Sequence, residues 1–92
     1  MSLTKLEAKL RPIARERIAK RQLPREASLH MWGGHGTGVL CSLCDKPIQR
    51  DEVEYEVEGH IDGPVVAFRF HAFCHSLWQL ECAHEYLLKT HR

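Results

Sequence analysis

The period of the apolar positions changes along this chain, and each change marks an element. Between Thr4 and Gln22 (TKLEAKLRPIARERIAKRQ) the positions Leu3, Leu6, Leu10, Ile13 and Arg17 recur at three- and four-residue steps with charges between them, as in an amphipathic helix. Thr4 followed by Glu7 reads as a capping box. Pro12 removes a backbone donor and crowds the preceding turn, so the expectation is a helix over about 12–22, led by a looser turn and ended by Pro24. Residues 24–38 (PREASLHMWGGHGTG) have no period and read as a linker, anchored by Met31 and Trp32 with packing as the role of Trp32. From Glu52 the chain alternates, with Val53, Tyr55 and Val57 toward a core and Glu52, Glu54, Glu56 and Glu58 toward water, which is a half-buried strand. GHIDGP at 59–64 is turn chemistry, with His60 an exposed loop residue. VVAFRF at 65–70 returns as a second strand with Val66, Phe68 and Phe70 on one face, completing an antiparallel hairpin. Residues 71–90 (HAFCHSLWQLECAHEYLLKT) resume the helical period, with Phe73, Leu77, Leu80, His84 and Leu87 along one face and Trp78 and Tyr86 as packing residues.

Composition adds two constraints. At 92 residues the chain is a single domain at most, and the part from 36 to 90 is too short for a large core without a staple. Net charge is only +1, yet residues 1–26 carry eight Lys/Arg against three glutamates, a net of +5, and the remainder carries five basic against nine acidic residues, a net of −4. Residues 1–25 mix charged with apolar positions and do not read as a secretory signal, and no run is long enough to cross a membrane. A cytoplasmic setting follows as the expectation, where a Cys/His cluster binds metal more readily than it forms disulfides.

That cluster is Cys41-x2-Cys44 and His71-x2-Cys74, two ligand pairs separated by 26 residues. Zinc takes thiolate and imidazole in a tetrahedron, and a two-residue gap lets both members of a pair reach one ion, so Cys41, Cys44, His71 and Cys74 predict one structural Zn2+ with a closed shell. On a helix His71 and Cys74 share a face; His75 competes for the fourth place but lies about 100° around from Cys74. Cys82, about 12 Å further along the axis, is a spare buried thiol. Asp45 follows the first pair where left-handed geometry is needed to aim amides at sulfur, and Asp tolerates it. Lys46 and Arg69 are candidates to offset the net −1 of three thiolates around a divalent ion. A redox dithiol is a poor alternative, because Cys-Ser-Leu-Cys runs on into Asp-Lys-Pro-Ile and the proline opposes a helix there. The glycine run 33–38 lacks the Gly-Lys-Ser/Thr ending of a phosphate loop and reads as a flexible approach to the cysteines.

Knuckle, β-hairpin and C-terminal α-helix, with ligands opening the helix, resemble a treble-clef zinc finger. The Cys-x2-Cys…His-x2-Cys order is similar to the zinc fingers of poly(ADP-ribose) polymerases and, more loosely, to half of a LIM domain. GTGVLCSLCDKPI, EVEYEVE and FHAFCHSLW also resemble a family of small bacterial proteins of uncharacterised function. The resemblance covers about 35–90, with Asp45 standing where such knuckles usually carry glycine and an acidic hairpin replacing the basic surface of the polymerase fingers. Together with the periodicity, the expected organisation is small α+β: a basic amphipathic helical segment over 1–26, a Gly-rich linker over 27–37 and a zinc-finger domain over 38–92. Treble clefs host nucleic-acid binding, protein binding and nucleases alike, so the resemblance carries over ligation by Cys41, Cys44, His71 and Cys74. The function expected first is a non-enzymatic zinc-binding adaptor or regulator with a protein partner or self-association. The alternative is nucleic-acid binding through Lys5, Lys9, Arg11, Arg15, Arg17, Lys20 and Arg21. An HNH-like nuclease is a third reading, for which His60 alone supplies too little.

Overall fold

A computed structural model describes residues 3–26 and 30–90, with side chains placed for 5–26 and 30–87. The elements run α1 (Leu3–Ala19), β1 (Met31–His35), β2 (Val53–His60), β3 (Val65–His71) and α2 (Ala72–Thr90). The three strands form one antiparallel sheet in the order β1-β2-β3. The fold is small α+β, and among the described residues no helix is long and apolar enough to cross a membrane.

α1 is longer than the proline predicts. It runs unbroken through Pro12, which lies on the exposed face, where water can satisfy the carbonyl freed one turn earlier. Leu10, Ala14 and Ile18 are the positions it buries, at i, i+4 and i+8, while Leu6 stays 45% exposed. Burying Leu10 and Ile18 contributes about 1.5–3 kcal/mol each, which holds the helix on both sides of the proline. The proposed cap at Thr4 falls on a side chain outside those described. The helix closes before Pro24: Arg21 takes φ 61°, its N–H donates to Ile18 O and the Gln22 N–H donates to Arg17 O, a Schellman arrangement with arginine in the place glycine usually fills.

The stretch read as a linker contributes a strand. β1 pairs with β2 so that Trp32 faces Glu56 and Gly34 faces Glu54. Trp32 is 52% exposed, so it is not a packing residue. The glycine run also serves close approach: a Cβ on buried Gly36 would lie 1.8 Å from Gln49 O, because the Gly38 N–H donates to Ile48 O and the Ile48 N–H to Val39 O alongside it.

β2 and β3 alternate as expected at the centre, with Val57, Phe68 and Phe70 buried and Val57 opposite Phe68. The ends differ, since Val53 and Val66 remain exposed beyond the reach of the helices. On the other face Glu54 is buried, a correction to the solvated stripe. Its carboxylate accepts from the Thr37 N–H at 3.0 Å, the Thr37 hydroxyl at 2.8 Å and Arg69 at 3.1 Å. Arg69 also reaches Glu56, directly across the ladder.

α2 packs against two neighbours, the sheet and α1, so its buried arc is turned from the predicted stripe. Cys74, His75, Leu77, Trp78, Glu81 and Cys82 are buried; Leu80, His84 and Leu87 are exposed, and so is Tyr86. Trp78 stacks on Phe70 with centroids 5.2 Å apart, and its indole N–H donates to Pro24 O at 3.0 Å. Glu81, with 1% of its side chain exposed, accepts from Arg11 at 2.7 Å and Arg15 at 3.0 Å. The core therefore runs continuously from α1 to α2. The helix docks through Glu81, with Arg17 on Asp45 and Arg21 on Asp62, and not on the strand glutamates.

Burial would raise the Glu81 carboxyl, but hydrogen bonds from Arg15 and Arg11 outweigh it and hold the group below its ordinary value. Its contribution is then fully present above the unfolded value, about 4.3, and is lost as pH falls through the folded one. The stability gap between wild type and Glu81→Gln should be widest near neutrality and shrink below about pH 4, read by urea melts across pH. Arg11→Ala/Arg15→Ala, which strands a buried carboxylate, should destabilise the protein more than Glu81→Gln, which should cost about 1 kcal/mol because its arginines can turn to water. Gly36→Ala should cost about 3 kcal/mol in the same melts, because its obstacle is backbone and cannot step aside.

Candidate metal centre

Three structural pieces converge on one point. The first is the tight turn from Leu40 to Pro47, which are bridged to each other, with the Cys41 N–H donating to Lys46 O and the Asp45 N–H to Cys41 O. Asp45 has φ 63°, the left-handed geometry expected of it. The second piece is the end of β3, which supplies His71 as its last residue. The third is the first turn of α2, which supplies Cys74. His71 therefore reaches the site from the strand, not from the helix face predicted for it.

The ligand atoms of Cys41, Cys44, His71 and Cys74 all lie within 4.8 Å of one another. His71 Nδ1 is 3.4 Å from Cys44 Sγ and 4.0 Å from Cys74 Sγ. Tetrahedral N/S ligands around an ion of zinc's size sit roughly 3.6–3.8 Å apart, so the set has the dimensions of one coordination shell. Cys41 and Cys74 are buried, Cys44 and His71 partly so. His71 Nε2 lies 3.2 Å from Pro47 O and 3.4 Å from Glu52. With a proton on Nε2 donated to that carbonyl, the Nδ1 lone pair is left facing the thiols.

The electrostatics are those of thiols competing for one negative charge. A hydrogen bond from Cys74 leads the causes that pull Cys41 down to about 4, against burial and with help from backbone amides of Cys44, His71 and Leu43. The same hydrogen bond, then burial, pushes Cys74 upward; burial leads the rise at Cys44. One thiolate thus forms at the expense of its neighbours, and a divalent cation is the charge that lets all three ionise.

The neighbouring cation is Arg17, which donates to Ser42 O at 2.7 Å and to Asp45 at 2.6 Å, so it braces the knuckle from α1. Arg69 belongs instead to Glu54 and Glu56. Nothing in the spacing of Arg17 marked it for this role, since it lies in the helical stripe. His75 stays out of the cluster, buried among the rings of Tyr55, Phe70 and Trp78, where burial lowers its basicity. Cys82 also lies apart: its thiol donates to Pro24 O, and burial pushes it up to about 12. His60 Nδ1 is 3.0 Å from Gly63 O, within its own turn.

Comparison with protein-family models, with curated proteins and with solved structures gives no match to this chain. The arrangement is a four-ligand set able to hold one metal ion.

Removing a ligand should differ sharply from removing the spare thiol. Cys44→Ala should lose bound metal and cooperative folding of residues 36–90. Cys82→Ala should keep full metal content and lose about 1 kcal/mol, checked by elemental analysis beside thermal melts.

Proposed function

We propose that the cluster holds one structural zinc ion in a treble-clef-like arrangement, and that the protein is a non-enzymatic adaptor or regulator acting through contacts with protein. The single observation that carries the metal reading is the closed set of three thiols and one imidazole, gathered from three structural pieces with the dimensions of one shell. Thiolate with imidazole in tetrahedral disposition selects zinc over harder cations, and four protein ligands leave no position for water or substrate. Such an ion acts by cross-linking a small core.

The basic residues favour the adaptor over nucleic-acid binding. Arg11 and Arg15 are committed to Glu81, Arg17 to Asp45, Lys20 to Glu16 and Arg21 to Asp62. Lys5, Lys9 and Arg25 are the members of the segment without a carboxylate partner among the described residues. Three cations without a carboxylate partner give only weak phosphate binding at physiological salt, where each phosphate contact is opposed by counterion recapture. Exposed apolar side chains, by contrast, are available on the sheet and the knuckle, including Trp32, Leu40 and Val65.

Elemental analysis of protein purified without chelator should find one zinc per chain, with thermal unfolding shifted down on chelation. A random DNA duplex at physiological salt should bind with a dissociation constant of about 100 µM or weaker. Micromolar binding that falls steeply with salt and disappears in Lys5→Ala/Lys9→Ala/Arg25→Ala would reverse this ranking in favour of nucleic acid.

A further inference from the structure

β1 is an edge strand that overhangs the core. All five of its residues are exposed, and among the described residues it has a strand neighbour on one side only. The direction of its free groups follows from the ladder. The Glu58 N–H donates to His30 O and the Gly36 N–H to Glu52 O, so Trp32 and Gly34 turn their backbone groups toward β2. Met31, Gly33 and His35 turn theirs outward. The opposite edge of the sheet is guarded: at Arg69 the backbone N–H donates to the Ser42 hydroxyl and its carbonyl accepts the Ser42 N–H. β1 has none of the devices that keep an edge from pairing, since Met-Trp-Gly-Gly-His contains no lysine, proline or bulge.

We propose that this edge pairs with β1 of a second copy, antiparallel about a two-fold axis at Gly33, joining the two sheets into one. The strand is complementary to itself in that register. Gly33 meets Gly33 of the second copy and Met31 meets His35, and these are the positions whose outward N–H and C=O can exchange both bonds. Trp32 then lies opposite Gly34 in the closer, non-hydrogen-bonded pairing. Gly34 has open space where a side chain would be, with nothing within 4 Å of a Cβ there. Each exposed indole covers the other copy's bare glycine, the arrangement by which aromatics shield glycines in sheets. A two-fold closes after one contact, so pairing ends at a dimer and does not propagate as a fibre. A peptide of unrelated sequence would satisfy the backbone groups without matching tryptophan to glycine in both directions. A five-residue strand pair is a small interface, so the dimer is reversible, with a dissociation constant on the order of ten to a few hundred micromolar. This deepens the adaptor reading by naming its partner; it does not depend on the identity of the metal.

The test is sedimentation equilibrium of the full metal-loaded chain from micromolar to millimolar concentration. Wild type should pass reversibly from monomer to dimer. Met31→Lys/His35→Lys sets like charges opposite each other across the two-fold and should weaken the dimer about tenfold or more. Met31→Lys/His35→Glu sets opposite charges at the same two pairs and should restore it. Metal content and melting temperature of the monomer, measured in parallel, report on the metal centre, so its failure is seen separately. A wild type monomeric throughout the range overturns the proposal, including the case in which an extended peptide occupies β1 instead. Equal dimerisation of wild type and the lysine pair moves the interface elsewhere, and equal weakening in both charge variants refutes the register.

Discussion

The convergence of Cys41, Cys44, His71 and Cys74 is the constraint on which the rest of the fold depends. The strand that ends at His71 becomes helix at Ala72 with no intervening loop, so β3 and α2 each bring one member of the cluster, three residues apart. The knuckle supplies the other two and is stitched to β3 through Ser42 and Arg69. A metal ion held there would join segments far apart in sequence, which is the kind of cross-link a chain of 92 residues needs when its core is small. The acid-base behaviour of the thiols makes the same point from the other direction. Without a cation the three sulfurs cannot share a site as thiolates, so the geometry is poised for one.

Arginine pairs organise the second half of the structure. Arg11 and Arg15 converge on one buried carboxylate of α2, and Arg17 clasps the knuckle from the same helix. These contacts convert a helix of surplus positive charge into a part of the core's wall. They also set its orientation, since a carboxylate buried at Glu81 tolerates only a placement that brings donors to it. The turn after the helix adds a seam at Pro24, whose carbonyl takes the Trp78 indole and the Cys82 thiol, while its ring presses on Gly59.

The clustering of Cys41, Cys44, His71 and Cys74, the hairpin and the terminal helix were legible in the sequence because each rests on local spacing: two-residue gaps, strict alternation, a helical period. Asp45 was legible for the same reason, through the geometry its position demands. What was not legible depended on partners distant in the chain. Glu54 read as a surface charge, and nothing in the spacing singled out Glu81, until Arg69 and Thr37 are brought to the one and Arg11 and Arg15 to the other. The buried arc of α2 could not be taken from its leucines, because a helix held between a sheet and another helix buries whatever faces both. Gly33 and Gly34 concealed β1, since glycine lowers strand propensity and the pairing with β2 supplies what the residues lack. Pro12 misled for a related reason: tertiary burial of Leu10 and Ile18 outweighs one missing backbone bond.

The two tryptophans occupy opposite environments. Trp78 is fully enclosed, stacked on Phe70 and hydrogen-bonded to a carbonyl, whereas Trp32 stands half in water on the sheet's edge. An enclosed indole emits at shorter wavelength than a hydrated one and is sheltered from aqueous quenchers. The chain therefore carries two built-in fluorophores of distinguishable colour, one reporting on the integrity of the core and the other on whatever comes to lie against the edge strand.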